Sequence, residues 1–119
     1  MNHQAVAYEE NWTLAEEQAF QLSQAAIRID QARRGKATNR GPLVDALNGN
    51  VEVWVALRTI VMRGDCTLPD EVKQNLTKLA QFVADRTFAD GEIAENTLDA
   101  LININLQISE GLLEGMKRG

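Results

Sequence analysis

Leu98-Asp99-Ala100-Leu101-Ile102-Asn103-Ile104-Asn105-Leu106-Gln107-Ile108-Ser109-Glu110-Gly111-Leu112 decides the fold class of this chain. Leu98, Leu101, Ile108 and Leu112 fall on one stripe of an α-helix, whereas the alternation of a strand would scatter them over both faces. The pattern predicts a helix from near Ile93 or Thr97 to about Met116. Asn105 stands at the centre of the stripe. A buried amide must find partners or cost about 1–3 kcal/mol. It is therefore expected to bond a loop or a neighbouring helix, or else a partner's backbone.

Three more helices are legible upstream. Thr67-Leu68-Pro69-Asp70 carries a cap, a proline and early acids, and starts a helix whose face is Val72, Leu76, Leu79, Ala80 and Val83. Phe88-Ala89-Asp90-Gly91 closes it. Before it, Pro42 suits a first turn, and Leu43, Leu47, Val51, Trp54 and Val61 recur at helical spacing. Asn48-Gly49-Asn50 interrupts that run, which predicts a kink or a division into two pieces. The first helix spans about 13–34: Thr13 and Glu16 form a capping box, Arg33 and Arg34 complement the last turn, and Gly35 ends it. Residues 1–12 read as a flexible arm ahead of a single domain over 13–119. Short loops between amphipathic helices predict an all-α fold, a compact bundle of four or five antiparallel helices. Its core should hold Leu47, Trp54, Leu76, Leu79, Val83, Leu101, Ile108 and Leu112.

Composition narrows the function. The chain has 119 residues, enough for one core and too few for two. Its single cysteine, Cys66, cannot make an internal disulfide, which suits a reducing compartment. The N-terminus lacks a basic segment followed by an apolar run, and no apolar stretch approaches the roughly 20 residues that span a bilayer. A cytoplasmic protein without membrane insertion is expected. Catalysis is not: the lone histidine, His3, lies in the arm, Cys66 has no base to activate it, and no glycine-rich phosphate loop occurs. Neither a metal, a cofactor nor a small-molecule substrate is expected, because no Glu-x-x-His pair or comparable cluster is present.

The net charge of −5 is uneven: residues 1–20 carry four acids and no base, whereas residues 21–40 carry five bases against one acid. An acidic chain with one basic turn is a poor general binder of nucleic acid. Arg28, Arg33, Arg34, Lys36 and Arg40 read first as helix-end and loop charges, with no interleaved aromatic to stack on bases.

The ordered motifs resemble one family. Leu101-Ile102-Asn103-Ile104-Asn105-Leu106-Gln107-Ile108-Ser109-Glu110-Gly111-Leu112 is similar to the C-terminal LIDINRxIxEGL signature of the flagellar biosynthesis regulator family FlaF. Leu68-Pro69-Asp70-Glu71-Val72, followed by Leu79-Ala80-Gln81-Phe82-Val83, resembles its LPxEL … L(A/G)xWV helix. Asp45-Ala46-Leu47-Asn48-Gly49-Asn50 with Trp54 resembles its xALxxNxxLW segment. The chain departs from the pattern in places: Thr13-Leu14-Ala15-Glu16 stands where the family often has Ser-Pro-Arg-Glu, Asn103 replaces an acid, Leu106 an arginine and Phe82 a tryptophan.

The resemblance implies a flagellin-binding secretion chaperone that also regulates flagellin synthesis, opposed or accompanied by the regulator FlbT. The alternative is an RNA-binding regulator of flagellin expression. For flagellin the candidate contacts are Phe20, Ile27, Asn50, Trp54, Phe82 and Asn105; for RNA they are Arg33, Arg34, Lys36 and Arg40. Phe20 and Ile27 project away from the Ala15, Ala19, Leu22, Ala26, Ile29 stripe of helix 1. They either widen the buried face or form an exposed pair that docks a flagellin helix. Trp54 reads first as a core anchor.

Overall fold

The amphipathic segments become four helices among the described residues of the computed structural model, which are residues 14–89 and 91–118. They are α1 (Leu14–Arg33), α2 (Gly41–Val61), α3 (Asp70–Thr87) and α4 (Glu95–Arg118), and no strand occurs among the described residues. Helix α1 packs against both α4 and α2, and α3 packs against α2. The arm, His3 and the Thr13 side of the capping box lie outside the described residues.

The expected kink in the second helix does not occur; α2 runs unbroken through Asn48-Gly49-Asn50. A mid-helix glycine costs about 1 kcal/mol relative to alanine. Burial of Leu43, Leu47, Trp54 and Leu57 on one face outweighs that cost. Asn50 also turns its carbonyl to another helix instead of to its own backbone, which removes the usual reason an asparagine breaks a helix.

The ends of the helices are set locally. The Gly41 N–H donates to Asn39 Oδ1 at 3.0 Å, satisfying a first-turn donor of α2, and proline follows directly. Pro69, not Thr67, occupies the cap position of α3, with no side-chain cap bond; its carbonyl accepts from the Lys73 N–H at 3.0 Å. Gly91, with φ +88°, takes a left-handed conformation that side-chain-bearing residues seldom adopt, and so turns the chain from α3 toward α4.

Leu22, Ile29, Leu43, Leu47, Trp54, Leu57, Val61, Leu76, Ala80, Val83, Leu98 and Leu101 form one buried cluster. Leu79, Ile108 and Leu112 pack against it half-buried, so all eight expected core residues belong to this core. Val72 does not: it sits in the first turn of α3, one turn ahead of Leu76, the first buried position of that helix, and is exposed. Cys66 is a free, half-buried thiol packed against the core edge.

Candidate partner-binding surface

Three of the candidate contacts lie in the interior and hold one another. The Trp54 indole N–H donates to Asn105 Oδ1 at 2.9 Å. Asn105 Nδ2 donates to the Leu22 carbonyl at 2.9 Å and to Asn50 Oδ1 at 2.7 Å. One turn along α4, the Ser109 hydroxyl donates to the Ala19 carbonyl at 2.8 Å. Asn105 thus joins α1, α2 and α4 at a single point in the core, and it, Asn50 and Trp54 are at most 1% exposed. Trp54 and Asn105 satisfy their polar groups within the fold, whereas Asn50 uses only its carbonyl there.

The orientation of this network follows from chemistry. An indole N–H can only donate, so Asn105 must present its oxygen to Trp54. Its NH₂ is thereby turned toward Leu22 and Asn50, and Asn50 must accept with its own oxygen. Asn50 Nδ2 is left at the end of the chain, buried and without a partner among the described residues.

Phe20 and Ile27 have the opposite fate. They are 49% and 45% exposed, so they do not widen the buried face of α1. On α4, Leu106 and Leu113 are exposed as well. Asp99, Leu106 and Leu113 stand seven apart and so share one line along α4. Asp99 bonds Arg33, which places that line on the flank of α4 turned toward α1. On α1, Ala25 and Ala32 face α2 across a groove. At about 100° per residue, Phe20 and Ile27 lie roughly opposite Ala25 and Ala32, on the outer face of α1 away from that groove.

Phe82 is half-buried against the core, with the Arg86 guanidinium 5.3 Å from its ring centroid. The basic turn is largely spoken for. Arg33 reaches both Asp30 and Asp99, Arg34 reaches Asp30 at 2.8 Å, and Lys36 reaches Glu95 at 2.8 Å. The hydrogen bond that Arg33 donates to Asp99, then the one it donates to Asp30, moves the Arg33 pKa up from its ordinary value; burial opposes them. The Arg33–Asp99 and Lys36–Glu95 pairs tie the end of α1 and the turn after it to the start of α4. Arg40 is exposed. Among the described residues no group of three His, Cys, Asp or Glu is placed to hold a metal ion, and no helix is long and apolar enough to cross a membrane.

The family model described as "Flagellar protein FlaF" matches residues 4–112 of the chain. No curated protein and no solved structure matches it.

Proposed function

The chain belongs to the FlaF family of flagellar proteins, and from that premise we propose that it binds unassembled flagellin in the cytoplasm as a secretion chaperone, and through that binding affects flagellin synthesis. The role is one of binding without catalysis, and the regulator FlbT acts alongside it. The observation that carries this reading is the exposed apolar pair Phe20 and Ile27, seven apart on α1, together with Leu106 and Leu113, exposed seven apart on α4, on two helices that pack together and whose other outward positions are mostly polar. Side chains seven apart on two adjacent helices offer a seat for a third amphipathic helix. The terminal segments of flagellin are helix-forming and unpartnered before assembly, so they suit such a seat. The RNA alternative draws on Arg33, Arg34, Lys36 and Arg40, and the first three already face carboxylates, which would compete with phosphate.

Phe20→Asp and Ile27→Asp are each expected to weaken flagellin binding by about tenfold or more, the size of one well-placed apolar anchor. Helicity and melting temperature should stay close to wild type, because both side chains are already half in water. Neutralising Arg33, Arg34 and Lys36 together should matter much less, at low salt and at high salt. The check is titration of purified flagellin against each variant. Lost binding in the charge variant with binding kept in both Asp variants would replace this model with a basic-turn mechanism.

A further inference from the structure

A groove of about 420 Å³ separates α1 from α2, on the flank of α1 away from α4. Ala25, Ala32, Ala46 and Gly49 leave it open, Arg28 stands on the α1 wall and Asp45 on the α2 wall. Neither charge has an ion-pair partner among the described residues. Asn50 lines the same groove, fully buried, and its Nδ2 is the unpartnered donor at which the Trp54–Asn105–Asn50 chain ends. A buried donor without an acceptor costs about 1–3 kcal/mol. The polarity imposed by the indole prevents Asn50 from turning over to relieve it.

We propose that this groove is a second docking site on the protein, for a helix that inserts an asparagine or glutamine side chain so that its amide carbonyl accepts from Asn50 Nδ2. The same helix sets a carboxylate over Arg28 and a cation over Asp45. Small side chains on both walls let the helix approach closely, as glycine and alanine do wherever backbones must come near one another. A carbonyl suits the site better than a carboxylate, since an ion taken to the depth of a fully buried amide would lose its hydration. The helix belongs to unassembled flagellin, and in this the proposal rests on the function proposed above. Flagellin then grips α1 from both sides: the outer apolar line receives one segment and the groove another.

The test uses the full chain, ¹⁵N-labelled, titrated with purified unassembled flagellin. A Cβ at Gly49 would meet nothing within 4 Å, so Gly49→Leu fits the fold and fills the groove. It should lower affinity by at least about tenfold while raising the melting temperature, because glycine is the poorer helix former. Ala46→Leu, on the same wall, is read in the same way if Gly49→Leu does not fold. In the wild type, the Asn50 side-chain NH₂ resonances should shift when flagellin is added. Should flagellin bind both variants as it binds wild type, with the Asn50 resonances unmoved, the groove is overturned and the chaperone reading stands. Should wild type not bind flagellin at all, the chaperone reading fails and this occupant with it.

Discussion

Replacing Trp54 by alanine is expected to lower stability by about 3–5 kcal/mol, the usual cost of emptying an aromatic core site. The residue is 1% exposed and among the largest of the fully buried side chains. Two effects add. The cavity removes packing against the cluster that α1, α2, α3 and α4 share, and Asn105 Oδ1 loses the indole N–H that it accepts. The loss is a large part of the roughly 5–15 kcal/mol that holds such a domain together. It should appear as a fall in melting temperature of more than about 10 °C in a thermal scan followed by circular dichroism. Trp54→Phe separates the terms, since it keeps most of the ring and strands only the acceptor, at about 1–3 kcal/mol. A Trp54→Ala protein melting within a degree or two of wild type would place the side chain at the surface.

Asn105→Leu is the second large effect, at about 2–5 kcal/mol, although leucine is the more apolar residue. The substitution removes three hydrogen bonds at once and leaves the Trp54 N–H and the whole Asn50 amide without partners inside the core. Hydrophobic gain cannot cover two stranded groups at this depth. The diagnostic is a double-mutant cycle by denaturant unfolding. Once Asn105 is gone, Trp54→Phe should cost less than it does alone, because the stranded donor leaves with it. A coupling of about 0.5–3 kcal/mol is expected for residues in direct contact. Strict additivity would mean that the indole and the amide do not meet.

Much of this architecture can be read from residues close together in the chain. The three- and four-residue recurrence around Leu98, Leu101, Ile108 and Leu112 is a property of one helix, and so are the cap chemistry at Asn39-Arg40-Gly41-Pro42 and the left-handed turn at Gly91. The ordered motifs from Asp45 to Leu112 point to the FlaF family for the same reason, each being a short run on one element. Part of the surface was legible too. Leu106 stands where the family signature carries an arginine, and an apolar residue on an outward line is a signal of contact. Spacing within one helix, however, does not tell which flank meets a neighbour.

What the chain determined alone was therefore its class, its four helical stripes, their ends and the residues available to a core. Periodicity is a local quantity, carried by side chains three and four apart. Only tertiary packing decided that α2 continues through Gly49, that Phe20 and Ile27 stay outside, and that the cations of the first turn close on Asp99 and Glu95. It also chose the partners of Asn105, which lie 51, 55 and 83 residues away in sequence. Hydrogen-bond direction across such distances depends on how three helices meet, and no single helix contains that information. The amide at the centre of the stripe announced that a partner was required; the fold supplied Trp54, Leu22 and Asn50, and in doing so left Asn50, a residue lining the groove between α1 and α2, with an unpartnered amide donor.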